Sequence, residues 1–253
     1  MRTTGVSSAK DNRRAAVLLD FDDTAAEQNV AEMLLTRFGD PTWQEVRGRF
    51  RAGELNLKEY QEVTFRNIQA DLATMQDYVR SHANLRPYFG ELRAYCQENG
   101  IPFAIVSQGL DFYIEALLAK EGHTQVPVYA VNTSFSGQGI AYEYLHTRAG
   151  QEKQGNSKGL VVEQFQQQGY HIFYAGDGMS DFEAATLVDV LYAHRTLAQE
   201  CMRSNIPFHP FNDFQDMFHA VREYHSNGHK PCGAGTTTQN PERLTSGRAE
   251  DST

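Results

Sequence analysis

Five short apolar runs recur along the chain, each closed by a polar or turn-forming residue: "AAVLLDF" (15–21), "IPFAIVS" (101–107), "VPVYAVN" (126–132), "HIFYAGD" (171–177) and "DVLYAH" (189–194). Unbroken apolarity over so few residues suits a strand covered on both faces. Helical patterns fill the intervals at 87–99, 109–121, 157–168, 179–187 and 196–204. Pro87 suits a first helical turn, and Gly100 and Gly122 suit helix ends. Strand and helix in alternation predict an α/β fold, a parallel sheet with helices on both faces.

Two stretches break the alternation. Residues 26–82 read as helical throughout ("VAEMLLTRFG", "WQEVRGRFRAG", "LNLKEYQEVTFRNI", "LATMQDYVRSH"), which places a helical module after the first strand. "VNTSFSGQGIAYEYLH" (131–146) centres on Ser-Gly-Gln-Gly and reads as a β-hairpin. The expected organisation is therefore a flexible polar arm (1–14), a core (15–25 and 83–225), a helical insert (26–82) and a disordered Gly/Thr/Ser/Pro-rich tail (226–253). His225, His229 and Cys232, near or in that tail, read as solvated rather than as metal ligands, because metal sites need ordered support.

Composition removes several function classes. A formal net charge of -9 argues against nucleic-acid binding, which needs a basic face. No apolar run is long enough to span a bilayer, and the N-terminal residues lack an apolar secretory segment. Cys96, Cys201 and Cys232 are too few and too scattered for a disulfide framework, so a reducing, cytoplasmic setting is expected.

In open parallel sheets, ligands bind beyond the carboxyl ends of the strands. Those ends carry Asp20, Asp22 and Thr24, then Ser107, Gln108 and Gly109, then Asp177 and Asp181, with Lys158 at a helix start. Two carboxylates 4 Å apart repel by about 4 kcal/mol at an effective dielectric near 20. A hard divalent cation relieves that repulsion, and an all-oxygen set without His or Cys favours Mg²⁺. Backbone N–H groups at a helix start after Ser107, the Ser107 hydroxyl and the Lys158 ammonium suit a phosphate. Singly, each motif is common in chains that have no site. Four of them, each at a strand end or helix start, define a metal-plus-phosphate site.

"DFDDT", "IVSQG", "NSKG" and "GDGMSD" occur in the order of the four motifs of the haloacid dehalogenase superfamily, which the chain resembles over about residues 15–224. The helical insert is similar to that superfamily's C1 cap. "VSQGLDFYIEALL", "NTSF" and "AQECMRSNIPFHPFNDF" resemble its phosphoserine-phosphatase-like group, and within it the methionine-salvage branch. The resemblance implies a Mg²⁺-dependent phosphomonoesterase acting on a small phosphorylated metabolite, with 2-hydroxy-3-keto-5-methylthiopentenyl-1-phosphate as the substrate it points to. Phosphoserine, phosphocholine and phosphoethanolamine are the alternatives. A phosphate sensor without turnover and a dehalogenase are more remote, since neither needs Asp20, Asp22 and Asp177 together.

Carried residue by residue, the resemblance makes Asp20 the nucleophile and Asp22 the general acid and base. Mg²⁺ would be held by the Asp20 and Asp177 side chains and the Asp22 carbonyl, with Asp181 behind them. Ser107 and Lys158 would stabilise the phosphoryl charge, and Thr24, Gln108, Gly109, Asn29 and Phe65 would contact substrate. Thr24 is also expected to bond locally in its turn, Asp23 to be a solvated turn residue, and Asp111 to brace a helix start. Asn29 and Thr64 stand where phosphoserine phosphatases carry a charged pair for the amino acid, which counts against a zwitterion. "HTRAGQEKQGNSK" replaces the Cys-rich stretch of the methionine-salvage branch.

Overall fold

Alternate side chains of the first apolar run leave to opposite sides, and this sets the layers. The computed structural model describes residues 13–137 and 139–227. Residues 1–12 of the expected arm (1–14) and residues 228–253 of the expected tail (226–253), with His229 and Cys232, lie outside the described residues; Arg14 instead begins the first strand, and residues 226–227 end the last described helix. Strands β1 (Arg14–Leu19), β2 (Phe103–Leu110), β3 (Val128–Ser136), β4 (Gly139–Glu143), β5 (Tyr170–Gly176), β6 (Val190–Ala193) and β7 (His209–Pro210) form one sheet. Its order is β4-β3-β2-β1-β5-β6-β7. All neighbours are parallel except β3 and β4, which make the expected hairpin.

Ala15, Val17 and Leu19 join Phe103, Ile105, Phe173 and Tyr192 in one buried cluster. Helices α5 (Phe89–Glu98), α6 (Asp111–Lys120) and α10 (Gln215–Asn227) cover that face. Ala16 and Leu18 turn the other way, to Val106, Ile172, Tyr174 and Leu191. There α7 (Lys158–Gln167), α8 (Phe182–Ala185) and α9 (Arg195–Arg203) close the second layer. Each fully buried Leu, Val or Phe contributes about 1.5–3 kcal/mol, so β1, wholly buried from Ala15 on, and β5, buried throughout, anchor the scaffold.

Between β1 and α5 lie four helices: α1 (Val30–Phe38), α2 (Trp43–Arg51), α3 (Leu57–Arg66) and α4 (Leu72–His82). Side-chain caps set their starts. Asn29 accepts from the Glu32 N–H, Asp71 from the Thr74 N–H, and Asn56 forms a reciprocal capping box with Glu59. The two connections to the sheet pair with each other. Ala26 and Leu85 form a single antiparallel bridge, and the Arg86 N–H donates to the Ala25 carbonyl at 2.8 Å.

Three local features differ from the sequence reading. The helix expected from Gly109 begins at Asp111, because β2 continues through a bulge to Leu110. The helix expected over 179–187 is a single 3₁₀ turn followed by the four residues of α8. There the Asp181 carboxylate takes the Asp177 and Gly178 N–H groups and tightens the turn. Strand β7, two residues long, has no periodicity to reveal it. No helix among the described residues is long and apolar enough to cross a membrane.

Candidate active site

The ends of β1, β2 and β5 and the start of α7 meet at the floor of a cavity of about 390 Å³. Asp20, Asp22, Ser107, Gln108, Gly109, Lys158 and Asp177 line it from the sheet side. Asn29 and Phe65 line it from the helical side, so most of the residues singled out in the sequence converge. Two do not reach it. Thr24 is fully buried and outside the lining, its carbonyl taken by Arg86 at 2.6 Å and its hydroxyl without a partner. The expected contact of Thr24 with substrate is therefore corrected, and so is its expected local hydrogen bond. Asp181 lies behind the lining, where the sequence placed it.

Lys158 organises the acids. It is 2 % exposed, and its Nζ donates to Asp20 Oδ1 at 2.5 Å and to Asp181 Oδ1 at 2.6 Å. Ser157 caps α7 by accepting from the Leu160 N–H, which fixes the helix start that carries this lysine. Burial disfavours the ammonium, but the charges of Asp181 and Asp20 outweigh that and hold Lys158 above its ordinary pKa. Asp181 is saturated: it also accepts from the Tyr174 hydroxyl at 2.6 Å and from the Asp177 and Gly178 N–H groups. Gly176 permits this, since a Cβ there would sit 2.5 Å from the Asp181 carboxyl carbon.

Asp20, only 4 % exposed, is pushed well above the usual carboxylate range, first by burial and then by the Asp181 charge, against Lys158. Asp177 is raised to about 7, by burial first and then by Asp181 and Asp23. Oxygens of Asp20, Asp177 and Asp181 lie within 4.8 Å of one another. With Asp181 fully hydrogen-bonded, Asp20 and Asp177 keep oxygens to offer. A close, all-carboxylate pocket with acids in excess over its lysine fits a hard divalent cation.

Asp22 lives differently. Its Oδ1 accepts from the Val30 and Ala31 N–H groups at 2.7 and 3.2 Å, capping α1, and its Oδ2 accepts from the Tyr113 hydroxyl at 2.8 Å. Burial raises it to about 6 in spite of these donors. A hydroxyl can reverse its hydrogen, so Tyr113 can accept from a protonated Asp22. Gly109 makes this approach possible: a Cβ there would fall 2.0 Å from the Tyr113 hydroxyl and 3.1 Å from Asp22 Oδ2. The Gly109 N–H donates to Ser107 Oγ at 2.9 Å, which leaves the serine hydrogen to point elsewhere.

The turn after β1 is held from three sides. Asp23 sits at φ 60° and ion-pairs with Arg195 at 2.5 Å, whose own φ is 45°. Arg195 also stands 3.9 Å from Asp177. Arg86 donates to the Asp23 and Thr24 carbonyls and to the Asn212 carbonyl at 2.8 Å. The expectation of a solvated Asp23 is thus overturned, and charge pairing in a left-handed turn is the reason. Asp111 accepts from Thr133 and from the Phe112 N–H, bracing α6 to β3.

The helical wall is mixed. Leu35, Phe50, Leu57, Tyr60 and Phe65 give it apolar surface, with Phe50 and Tyr60 stacked at 4.9 Å. Glu32, Arg47, Arg51 and Gln61 add polar groups, Glu32 and Arg47 being ion-paired. These four, with Tyr113, escaped the sequence reading. Tyr113, one helical turn past Gly109, and the polar-tipped Tyr174 in a buried strand were the only available cues. A second cavity of about 280 Å³, lined by His194, Phe211, Asp213 and Asp216, contains none of the four motifs.

Residues 17–186 match the family of haloacid dehalogenase-like hydrolases. The chain is 32% identical over 207 residues to 2-hydroxy-3-keto-5-methylthiopentenyl-1-phosphate phosphatase of Exiguobacterium sibiricum, covering 79% of this chain and 93% of that relative. The protein of the same name from Brevibacillus brevis is 24% identical, with 84% and 97% covered. Among solved structures, phosphoserine phosphatase from T. onnurineus superposes with a TM-score of 0.56 at 17% identity, covering 85% of this chain and 98% of that one. The last likeness speaks to the fold alone.

Proposed function

Because the chain belongs to the haloacid dehalogenase-like hydrolases, we propose that this phosphatase passes the phosphoryl group of a small phosphate monoester through Asp20 to water. The observation that carries the reading is the buried Asp20 at the end of β1, bonded to Lys158 at 2.5 Å on the floor of a cavity that also holds Asp177 and Ser107. In the first step an Asp20 oxygen bonds to phosphorus as the ester oxygen leaves, taking a proton from Asp22. In the second, water attacks the aspartyl-phosphate, Asp22 takes its proton, and Asp20 is released with inorganic phosphate. Lys158 and Ser107 stabilise charge on the phosphoryl oxygens, where this chemistry gains most.

Asp20 and Asp177, with the Asp22 carbonyl, are the groups that would hold Mg²⁺. When bound, the ion supplies positive charge against the acids and the phosphoryl oxygens. Residues 26–82 serve as a cap over the cavity, and residues 15–25 and 83–225 as the catalytic core. The substrate we infer is 2-hydroxy-3-keto-5-methylthiopentenyl-1-phosphate. Relatives carrying that name cover most of the chain, and the apolar wall of Leu35, Phe50, Leu57 and Phe65 suits a methylthio tail.

One observation favours a second substrate: Glu32 and Arg47 in the cap wall are the charge types a phosphoserine zwitterion needs. They are paired with each other, so the zwitterion would first have to break that pair. Phosphate release separates the readings, measured from the methylthiopentenyl ester, phosphoserine, phosphocholine and phosphoethanolamine with Mg²⁺ and again with EDTA. The expected result is Mg²⁺-dependent release with the methylthiopentenyl ester preferred. A preference for phosphoserine would overturn the substrate, and metal-independent chloride release from a haloacid, without phosphatase activity, would overturn the chemistry.

A further inference from the structure

The carboxylate that gives and takes the proton in the reaction above has one open position, and a tyrosine decides where it lies. An ionised carboxylate offers about four lone-pair sites. Asp22 Oδ1 receives two donors, the Val30 and Ala31 N–H groups at 2.7 and 3.2 Å. Oδ2 receives one, the Tyr113 hydroxyl at 2.8 Å. The site that remains belongs to Oδ2. The residues that meet at this oxygen, Asp22, Gly109 and Tyr113, all line the cavity, and a Cβ on Gly109 would stand 3.1 Å from Oδ2. Tyr113 itself cannot shift. Its ring is fully buried and packs on Phe21 and Phe112, with centroids 6.0 and 5.4 Å away.

We propose that Tyr113 is a positioning residue: by filling one lone-pair site of Asp22 Oδ2 it confines the reacting proton to the other, and so aims it at the leaving oxygen of the substrate. This rests on the phosphatase reading above and deepens it. In the first step an Asp20 oxygen bonds to phosphorus. The bond from phosphorus to the ester oxygen breaks, with its electron pair going to that oxygen. The ester oxygen takes the proton from Asp22 Oδ2 and departs as an alcohol, which leaves Asp22 a carboxylate. The phenol hydrogen is donated to an oxygen that gains charge as the proton leaves, so its bond is stronger in the transition state than before it.

The same three donors keep the two oxygens from exchanging roles. Rotating the carboxylate would break the bonds from Val30, Ala31 and Tyr113 together. The aim of the proton matters only for a leaving group that needs one. An alkyl ester departs poorly as an alkoxide and depends on protonation, whereas p-nitrophenolate departs as an anion. A residue that aims the proton is felt chiefly by the alkyl ester. A residue that only satisfies the core is felt by both esters alike.

The test measures kcat/KM for phosphate release from butyl phosphate and from p-nitrophenyl phosphate, in the full chain with Mg²⁺, and takes the ratio of the first to the second. Tyr113→Phe keeps the ring and removes only the hydroxyl. Its ratio should fall below that of the wild type by on the order of tenfold. Because each ratio is taken within one preparation, a general loss of activity cancels. Gly109→Ala, whose Cβ would fall 2.0 Å from the Tyr113 hydroxyl and displace it, serves if the phenylalanine variant does not fold, and its ratio should fall likewise. Asp22→Asn has no proton to give and should lower the ratio furthest. If Asp22→Asn lowers the ratio and the variant that removes or displaces the phenol leaves it unchanged, Tyr113 is merely structural and the proposal is overturned, with the phosphatase reading still standing. An unchanged ratio in Asp22→Asn, or no phosphate release by the wild type from either ester, sinks the acid assignment in that reading and this inference with it.

Discussion

The floor and the wall of the cavity are built by opposite means. On the floor, Asp20, Ser107, Lys158 and Asp181 are buried, and the groups around them are tied into the core: Asp181 takes four donors, Lys158 serves two carboxylates, and Asp22 is held by two backbone N–H groups and a tyrosine. On the wall, α2 buries only Trp43, α3 starts at an exposed capping box, and Arg51 faces solvent. A rigid floor fits a reaction whose geometry must not vary. The less buried part of the wall, Arg47, Phe50, Arg51, Leu57 and Tyr60, can change its side chains with little loss of stability, which is where substrate preference can shift. The chemistry and the choice of substrate are therefore separable, and variants on the two surfaces should fail in different ways.

The largest effect belongs to the nucleophile. Asp20→Asn keeps an oxygen for Lys158 but removes the attacking carboxylate, so kcat should fall by at least about a thousandfold. The thermal midpoint should stay near that of the wild type, because the β1 core is untouched. Steady-state phosphate release and a melting curve on one sample check both halves. Activity near wild type would mean that the floor does no chemistry.

Lys158→Met comes next, and it should damage activity and stability together. Removing the ammonium leaves Asp20 and Asp181 buried side by side without a countercharge. Breaking a buried pair in this way costs about 3–5 kcal/mol. Chemical denaturation in EDTA should show that loss, and kcat should drop by roughly a hundredfold. A stable but inactive variant would show that the lysine contributes to transition-state charge alone. On the wall, Phe50→Ala removes the partner stacked on Tyr60 and should raise KM for an apolar-tailed ester by about three- to tenfold. Its kcat should hold within about twofold. A fall in kcat as deep as that of the floor variants would erase the distinction between the two surfaces.

The same contrast decides what the sequence could reveal. The floor was legible because its residues sit where strong local patterns end: Asp20 closes an apolar strand, Asp177 closes another, and Lys158 follows a helix-capping serine. The wall was not, because Glu32, Arg47, Arg51 and Gln61 reach the cavity only through the packing of four helices on the sheet. An arginine on an amphipathic helix reads the same whether it faces water or a ligand. Between these extremes lie the turns. Asp23 looked like any acid in a loop, since neither its φ of 60° nor its partner Arg195, far along the chain, leaves a local trace. The start of α6 slipped from Gly109 to Asp111 for a related reason. A glycine after a strand opens a helix as readily as it makes room for Tyr113 to meet Asp22, and only the tertiary contact selects the second.

Thr24 gives the smallest expected effect and the sharpest boundary for the floor. It belongs to the first motif by position, four residues after the nucleophile, yet its hydroxyl is buried without a hydrogen-bond partner and does not line the cavity. What the chain uses at this position is the backbone: the Thr24 carbonyl accepts from Arg86. Thr24→Val keeps that carbonyl and the side-chain shape while removing an unsatisfied polar group, and such exchanges are near neutral or stabilising. KM and kcat should both stay within about twofold of wild type, with stability equal or higher by up to about 1 kcal/mol. A raised KM would return the threonine hydroxyl to the substrate side and require the turn to open on binding. Unchanged kinetics would place the edge of the catalytic floor between Asp22 and Thr24.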